Sequence, residues 1–394
     1  MARPTAGTVR ESNQQRVLNV LLGSGDRALT YAQVADAAGL AVGTVTSILR
    51  EYADAGMVDT VPGAGRRGAT VRIGRGAGLV AGVDFGHHHV AVAVADMSGT
   101  VVAERWLTVD VDQEHEKNFA HAAKLIDELV AESGEPRAAL RTVGLGLPAP
   151  LSQGRVLGNT IMPGWVGLDI EKFAVAAFGC PVLVDNDANL AALGEYRRGA
   201  GRGHDNLVFA KISGGLGAGI IVHGRILSGA AGIAGELGHL TYDEQGPLCR
   251  CGSRGCLEAY TSTTAARDLM RAQMPGASLT EMVAAARGGN AAAQRVFEDA
   301  GLHLGWGLAV AANLLNPGVI IVGGDMAKAG EMLLESTRMA MRRHVFEGAV
   351  ATPVVASELG DRASVIGAVI AAVEATDLTE DGHSDEPARK VAGV

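Results

Sequence analysis

The sequence predicts a small winged helix-turn-helix head, residues 1–76, in front of a two-lobed α/β body, residues 77–375. Three observations carry that expectation. A helical rhythm punctuated by glycines runs through residues 13–56 and gives way to two short apolar strands. From about residue 79 strands and helices alternate. The order strand, strand, strand, helix, strand then occurs twice, around "LVAGVDFG" and around "NLVFAKISGGLGAGIIVHGRIL", which implies a duplicated α/β fold with a cleft between its halves.

The head is read element by element. "NQQRVLNVLLG" places Val17, Leu18, Val20, Leu21 and Leu22 at helical spacing, and Gly23 closes the segment. Thr30 is placed to cap a second helix, "YAQVADAAG", that closes at Gly39. After the turn "GLAV", "GTVTSILREYADAG" sets Val45, Ile48, Leu49 and Tyr52 on one face. Two helices joined by a tight glycine turn make the helix-turn-helix pattern. "MVDTV", "PGAGRRG" and "ATVRI" then read as strand, loop and strand, a hairpin with Arg66 and Arg67 at its tip. In such a head the second helix of the pair enters the major groove of DNA with its N-terminal residues foremost. Those are Gly43, Thr44, Thr46 and Ser47, with Arg50 a turn later, while Arg66 and Arg67 suit phosphate or minor-groove contact. The bland reading of these residues is a three-helix packing module with a solvated hairpin. Helix spacing, turn and wing together favour DNA.

Charge and composition narrow the class. With 47% hydrophobic but 4% aromatic residues, the core is expected to be aliphatic. The net charge is −9, yet residues 1–80 carry nine Arg, no Lys and six acidic residues, a balance of +3 that leaves −12 for the other 314 residues. A basic head on an acidic body fits a head that meets a polyanion. The opening "MARPTAGTVRESNQQR" has no apolar signal core. The longest uncharged stretch, Leu304–Gly324, is broken by Asn313 and by "NPG" at 316–318, so it reads as a buried helix, a turn and a buried strand rather than a membrane span. A cytoplasmic protein is expected.

In the body, "LVAGVDFG", "HVAVAVADMSG" and "VVAERWLTV" are successive strands. "KNFAHAAKLIDELVAES" is an amphipathic helix and "TVGLGLPAP" a strand. The first lobe is expected over 77–187 together with the C-terminal helix "ASVIGAVIAAVEA", and the second over 188–360. The polar tail, 376–394, is expected to be disordered.

Three of the four cysteines fall within "CRCGSRGC", residues 249–256. Four cysteines are too few for a disulfide framework, and no Cys-x-x-Cys pair points to redox work. Cys249, Cys251 and Cys256 with His239, ten residues upstream, would complete a closed tetrahedral Zn2+ shell, a structural arrangement. Unliganded thiols remain the other reading of this spacing. Cys180, alone before Pro181, reads as a small buried apolar residue.

At this point a resemblance emerges. "GELGHLTYDEQGPLCRCGSRGCLEAY" closely resembles the signature of the ROK family of repressors, open reading frames and kinases, and "GLPAP", "GNTIMPGW", "VDNDANLAALGE" and "LLNPGVIIVGG" match further family segments in order. It covers roughly residues 10–375 and includes the winged head of the repressor branch. The resemblance implies an actin-like, ribonuclease H-like body of the sugar-kinase type. It implies a structural zinc on His239, Cys249, Cys251 and Cys256. It implies a sugar or sugar-phosphate effector in the interlobe cleft, held by Asn159, Asn186, Asp187, Glu236, His239 and Glu258. Carboxylates and amides suit paired contacts to sugar hydroxyls. On the residues alone, Asn186–Asp187 is an ordinary turn after a strand and Glu236 a solvated loop charge.

The same resemblance raises the question of phosphoryl transfer. Family kinases use a carboxylate matching Asp187 as general base, and two glycine loops cradle the nucleotide phosphates. The first loop reads Asp-x-Gly-Gly-Thr there and "DFGHH" here, with His87 and His88 in place of Gly and Thr. The second reads Gly-Thr-Gly-x-Gly-x-Gly there and "SGGLGAG" here, with Ser213 and Gly214 in place of Gly and Thr. Each lost contact to developing charge costs on the order of 2–4 kcal/mol. The expectation is therefore a sugar-responsive transcriptional regulator, a repressor of carbohydrate genes, with no catalytic residues. Asp187 is then a vestigial base position, and operator DNA, a sugar effector and a second or fourth copy of the chain are the partners. The alternative is an active or bifunctional sugar kinase. Consecutive side chains on an extended segment would alternate, so at most His87 and His89 of the triple histidine are expected on one face.

Overall fold

The computed structural model describes residues 6–25, 27–61, 68–152, 154–157 and 161–378. Its head comprises α1 (Ala6–Gly23), β1 (Leu29–Thr30), α2 (Tyr31–Ala38), α3 (Val42–Asp54), β2 (Val58–Val61) and β3 (Thr70–Ile73). Thr30 starts α2 as its position predicts. Its hydroxyl accepts from the Gln33 amide N–H, and the Gln33 side chain accepts from Thr30 N at 2.8 Å. Gly39 ends α2 in the left-handed region, φ 62°, where a residue without Cβ is unstrained. The chain thereby bends 112° into α3. α3 buries Val45, Ile48, Leu49 and Tyr52 and leaves Gly43, Thr44, Ser47 and Arg50 exposed. β3 pairs antiparallel with β2 on one side and with β1 on the other. Two residues carry no periodicity, so β1 was not foreseeable. Arg66 and Arg67 lie outside the described residues.

The body's first sheet holds β4 (Leu79–Gly86), β5 (His89–Asp96), β6 (Val101–Thr108), β7 (Leu140–Leu147) and β10 (Val182–Asn186). Between them run α4 (His115–Ser133), the short pair β8 (Leu151–Ser152) and β9 (Arg155–Val156), and α5 (Ile170–Phe178); α6 (Asp187–Arg198) follows. The second sheet holds β11 (Leu207–Ile212), β12 (Leu216–Val222), β13 (Arg225–Ile226), β14 (Val319–Gly323) and β15 (Val354–Ala356). The remaining helices are α7 (Glu258–Thr261), α8 (Thr263–Met270), α9 (Leu279–Arg287), α10 (Ala291–Leu315), α11 (Glu331–His344) and α12 (Ala363–Ala375).

The duplication read in the sequence is visible in topology. The first sheet runs β10-β7-β4-β5-β6 and the second β13-β12-β11-β14-β15. In each, three consecutive strands pair antiparallel, the fourth strand joins the first in parallel, and the fifth joins the fourth in parallel. The body is thus the actin-like, sugar-kinase-type fold. α12 lies on β4 and β7 of the first sheet, α6 lies on β11 and β12 of the second, and the two helices pack against each other. Glycines permit that closeness: a Cβ at Gly144 would strike the Ala368 carbonyl, and one at Gly367 the Leu190 carbonyl. Leu304–Gly324 is the end of α10, a left-handed Asn316 and β14, as read from its breaks. Among the described residues no single helix is long and apolar enough to cross a membrane.

The head shares one apolar core with the body. Val17, Leu18 and Leu21 of α1 cluster with Val369, Ile370 and Val373 of α12. One expectation is corrected at the C-terminus. Disorder from residue 376 does not hold for its first residues: the Thr376 hydroxyl bonds to Thr142 Oγ1 at 2.9 Å and to Ala372 O at 2.7 Å, and Leu378 is buried. The segment reads as polar, yet these residues finish the packing of α12 under the first sheet; positions 379–394 lie outside the described residues.

Candidate functional site

A cavity of about 330 Å³ opens beyond the carboxyl ends of the parallel strands of both sheets, where open α/β sheets place their ligands. Gly86 ends β4, Pro148 follows β7, Asn186 ends β10, Ser213 follows β11 and Asp325 follows β14; all of them line it. Asp187, the first residue of α6, is buried and faces the cavity. Its Oδ2 accepts from Lys211 Nζ at 2.6 Å, and Lys211 also donates to Ser364 Oγ at 2.8 Å. Ser364 in turn donates to the Asp187 backbone carbonyl at 3.1 Å. Burial pushes the Asp187 carboxyl above its ordinary value, with Lys211 pulling it down and Asp84 pushing it up. Asn186 caps α6: its Oδ1 accepts from Ala188 N at 2.9 Å, and its Nδ2 donates to Ala149 O at 3.1 Å. The ordinary-turn reading of this pair is therefore part of the truth, because the turn is what aims Asp187 into the cavity.

The cysteine knuckle builds a further part of the wall. Glu258 opens α7 and is buried. Arg250, between the first two knuckle cysteines, grips it through Nε–Oε1 at 2.8 Å and Nη2–Oε2 at 3.1 Å, and Leu216 N donates to Oε2 at 3.0 Å. This pair leaves no room beside Gly215, where a Cβ would meet both Arg250 Nη2 and Glu258 Oε2. Glu236 lies 3.7 Å from His239 Nε2, and burial raises its carboxyl above the ordinary value although His239 lowers it.

The other His239 nitrogen, Nδ1, is 3.9 Å from Cys249 Sγ, and Cys251 Sγ is 3.7 Å from Cys256 Sγ. The four donor atoms all lie within 4.8 Å of one another. Ligands about 2.3 Å from a tetrahedral ion stand about 3.8 Å apart, so the set has the shape of a metal shell. All three thiols are free rather than bridged. Burial pushes the Cys249 thiol up to about 12, so its thiolate needs a cation beside it. Gly255, at φ 64°, lets the knuckle close where a Cβ would strike Asp243 O.

The histidine run departs from the sequence-based expectation. His87 and His88 are not extended: they form the two-residue turn of a hairpin in which Gly86 pairs with His89. Side-chain alternation does not apply in such a turn, and all three histidines line the cavity. His87 Nδ1 sits 2.8 Å from Asp112 Oδ1, and His89 Nε2 sits 3.3 Å from Asp84 Oδ2. The His87 ring also reaches the second glycine loop, where a Cβ at Gly214 would lie 3.2 Å from it.

Five of the six predicted sugar-contact positions, Asn186, Asp187, Glu236, His239 and Glu258, thus line one cavity, while Asn159 lies outside the described residues. On α3 the Thr46 hydroxyl is turned back onto Val42 O at 2.8 Å, so it donates within its own helix. Sequence reasoning missed Lys211 and Arg250. Each had a signal: a lysine inside the apolar strand "NLVFAKI", and an arginine inside the cysteine cluster. Cys180 is buried, as read.

The chain resembles known proteins over most of its length. Residues 80–375 match the profile of the ROK family. The xylose repressor of Bacillus spizizenii is 27% identical over 91% of this chain and 94% of its own length. The glucokinase of Thermotoga maritima is 32% identical but spans 73% of this chain while covering 95% of itself. Among solved structures, a ROK family transcriptional regulator described as a homolog of the E. coli MLC protein superposes with a TM-score of 0.77 at 27% identity, over 93% of this chain and 96% of that one. The chain belongs to the ROK family.

Proposed function

We propose that this chain is a sugar-responsive, DNA-binding transcriptional regulator that represses carbohydrate genes and does not turn over ATP. The observation that carries the reading is the unequal state of the cleft's two ends. At one end Asp187, Glu236 and Glu258 face the cavity beside the His239–cysteine cluster. At the other, the His87 ring lies against Gly214 where the family's kinases need open glycine loops around phosphate. The likeness to repressors over head and body alike supports the same reading.

In this account residues 1–76 form a winged helix-turn-helix. The edge of α3 that carries Gly43, Thr44, Thr46, Ser47 and Arg50 meets the major groove, and Arg66 and Arg67 meet the backbone or minor groove. The lobes, 77–187 with the C-terminal helix and 188–360, close on a sugar or sugar phosphate. Zn2+ on His239, Cys249, Cys251 and Cys256 would hold the imidazole so that its Nε2 points at the ligand. Asp187 opens α6 and Ser364 lies at the start of α12; Lys211 ties them together, and α12 packs on α1 of the head. A ligand that shifts this node favours one arrangement of the heads, and repression responds because DNA favours the other. The protein acts in the cytoplasm as a homodimer or homotetramer whose paired heads read two half-sites.

A gel shift against the DNA upstream of its own gene tests the reading. Salt-sensitive, sequence-specific binding that disappears on removal of residues 1–75 is expected; its absence sinks the proposal. The second reading, a sugar kinase, is favoured by Asp187 in the cleft and by the glucokinase likeness. ATP turnover on a hexose panel, abolished by Asp187→Asn, would establish it instead.

A further inference from the structure

β11 is an apolar strand in which Leu207, Val208, Phe209 and Ala210 are buried, yet its fifth residue is Lys211. The Lys211 side chain is 18% exposed, and an ammonium so largely withdrawn from water is unfavourable unless it is paired and hydrogen-bonded. Lys211 has both kinds of partner: Asp187 Oδ2 at 2.6 Å and Ser364 Oγ at 2.8 Å, with the carboxylates of Asp84 and Asp325 acting at longer range. Burial alone would lower its pKa, but Asp187, Asp84 and Asp325 hold it well above the ordinary lysine value. Asp84 is fully buried behind the cavity, and its Oδ1 has no hydrogen-bond partner among the described residues. Burial works to raise Asp84, but Lys211 and His89 outweigh it and hold it below the usual carboxylate range. Buried carboxylates gathered in this way ordinarily take up a proton or coordinate a divalent cation.

We propose that Lys211 is a built-in counter-cation, whose ammonium, bonded to Asp187 and attracted by the more distant Asp84, stands where a divalent metal ion would otherwise bind, and which fixes Asp187 as a hydrogen-bond acceptor for a neutral polyol. Only Asp187 Oδ2 is taken by the lysine, so Oδ1 is left to accept a ligand hydroxyl. A lysine tethered to β11 cannot travel with a nucleotide as a metal ion does. The inference deepens the reading of the cleft as a sugar site and rests on it for the class of ligand alone.

Mn2+ is the probe, followed by electron paramagnetic resonance on the full chain as purified. Wild type is expected to show no millimolar Mn2+ binding that Asp187→Asn removes. Lys211→Met is expected to bind Mn2+ about tenfold more tightly or better, and to lose that gain when Asp187→Asn is added. Equal binding by wild type and Lys211→Met overturns the proposal. Should Lys211→Met fail to fold, nitrogen NMR of the lysine-labelled wild type still decides. The Lys211 ammonium signal is expected to stay unmoved by millimolar Mg2+, and its displacement overturns the proposal. A thermal-shift titration of wild type with sugars is the separate arm: no response there removes the sugar reading while the Mn2+ result still judges Lys211.

Discussion

The two ends of the cleft differ in kind. At the knuckle end polar groups hold one another in place: Arg250 and Leu216 N grip Glu258, and His239 stands between Glu236 and the three thiols. At the glycine-loop end the space is filled rather than built, with the His87 ring against Gly214 and tied back to Asp112. Recognition needs preorganised donors and acceptors, whereas phosphoryl transfer needs an open cradle. In the proposed reading the knuckle end serves the first, and the filled glycine-loop end is ill suited to the second. Two of the four departures from the kinase loop pattern also meet in space, since the His87 ring lies where a side chain at position 214 would stand.

The largest break in this comparison comes from the cysteines. Cys251→Ser, or chelation of the wild type, is expected to abolish bound zinc and to weaken sugar binding by about 10–100-fold, because His239 loses its anchor. Metal analysis and a thermal-shift titration check it, and the head retains its fold. Next is Arg250→Ala, which strips a buried carboxylate of its partner. A loss of up to about 3 kcal/mol is expected in denaturant unfolding, less than for a fully buried pair because Arg250 is partly exposed. Then comes Gly214→Thr, expected to cost about 1–3 kcal/mol by crowding the His87 ring. In a His87→Gly background most of that loss is recovered, a coupling of about 1 kcal/mol that a double-mutant cycle measures. The smallest effect belongs to Arg50→Ala, which touches neither end. It is expected to leave sugar binding unchanged and to lower the salt slope of DNA binding by about 1.

The sequence was legible where backbone geometry left a residue-type signature. Thr30 and Gly39 mark α2 because a capping box and a left-handed helix end demand those residues. The duplication showed because buried parallel strands are nearly all apolar. Much of the candidate site showed through the family segments, which place Asp187, Glu236, His239 and Glu258 on one cavity. What stayed hidden was long-range pairing. Lys211 meets Ser364 across 153 positions, and no local pattern announces such a contact. The histidine run was misread for a different reason. Two strands ending at Gly86 and starting at His89 leave a two-residue gap, which requires a hairpin turn and not an extended segment. The first residues after α12 read as tail because their polarity was weighed and their distance from Thr142 was not visible.

The central claim is that ligand in the cleft governs DNA binding by the head. Fluorescence anisotropy of the full chain on its own upstream DNA, titrated with a panel that starts with xylose and glucose, tests it most directly. Specific binding that one sugar shifts by about 5–150-fold is expected, with Asp187→Asn binding DNA as wild type does but ignoring the sugar. DNA affinity that no sugar moves, beside ATP-dependent phosphorylation of one of those sugars, would contradict it.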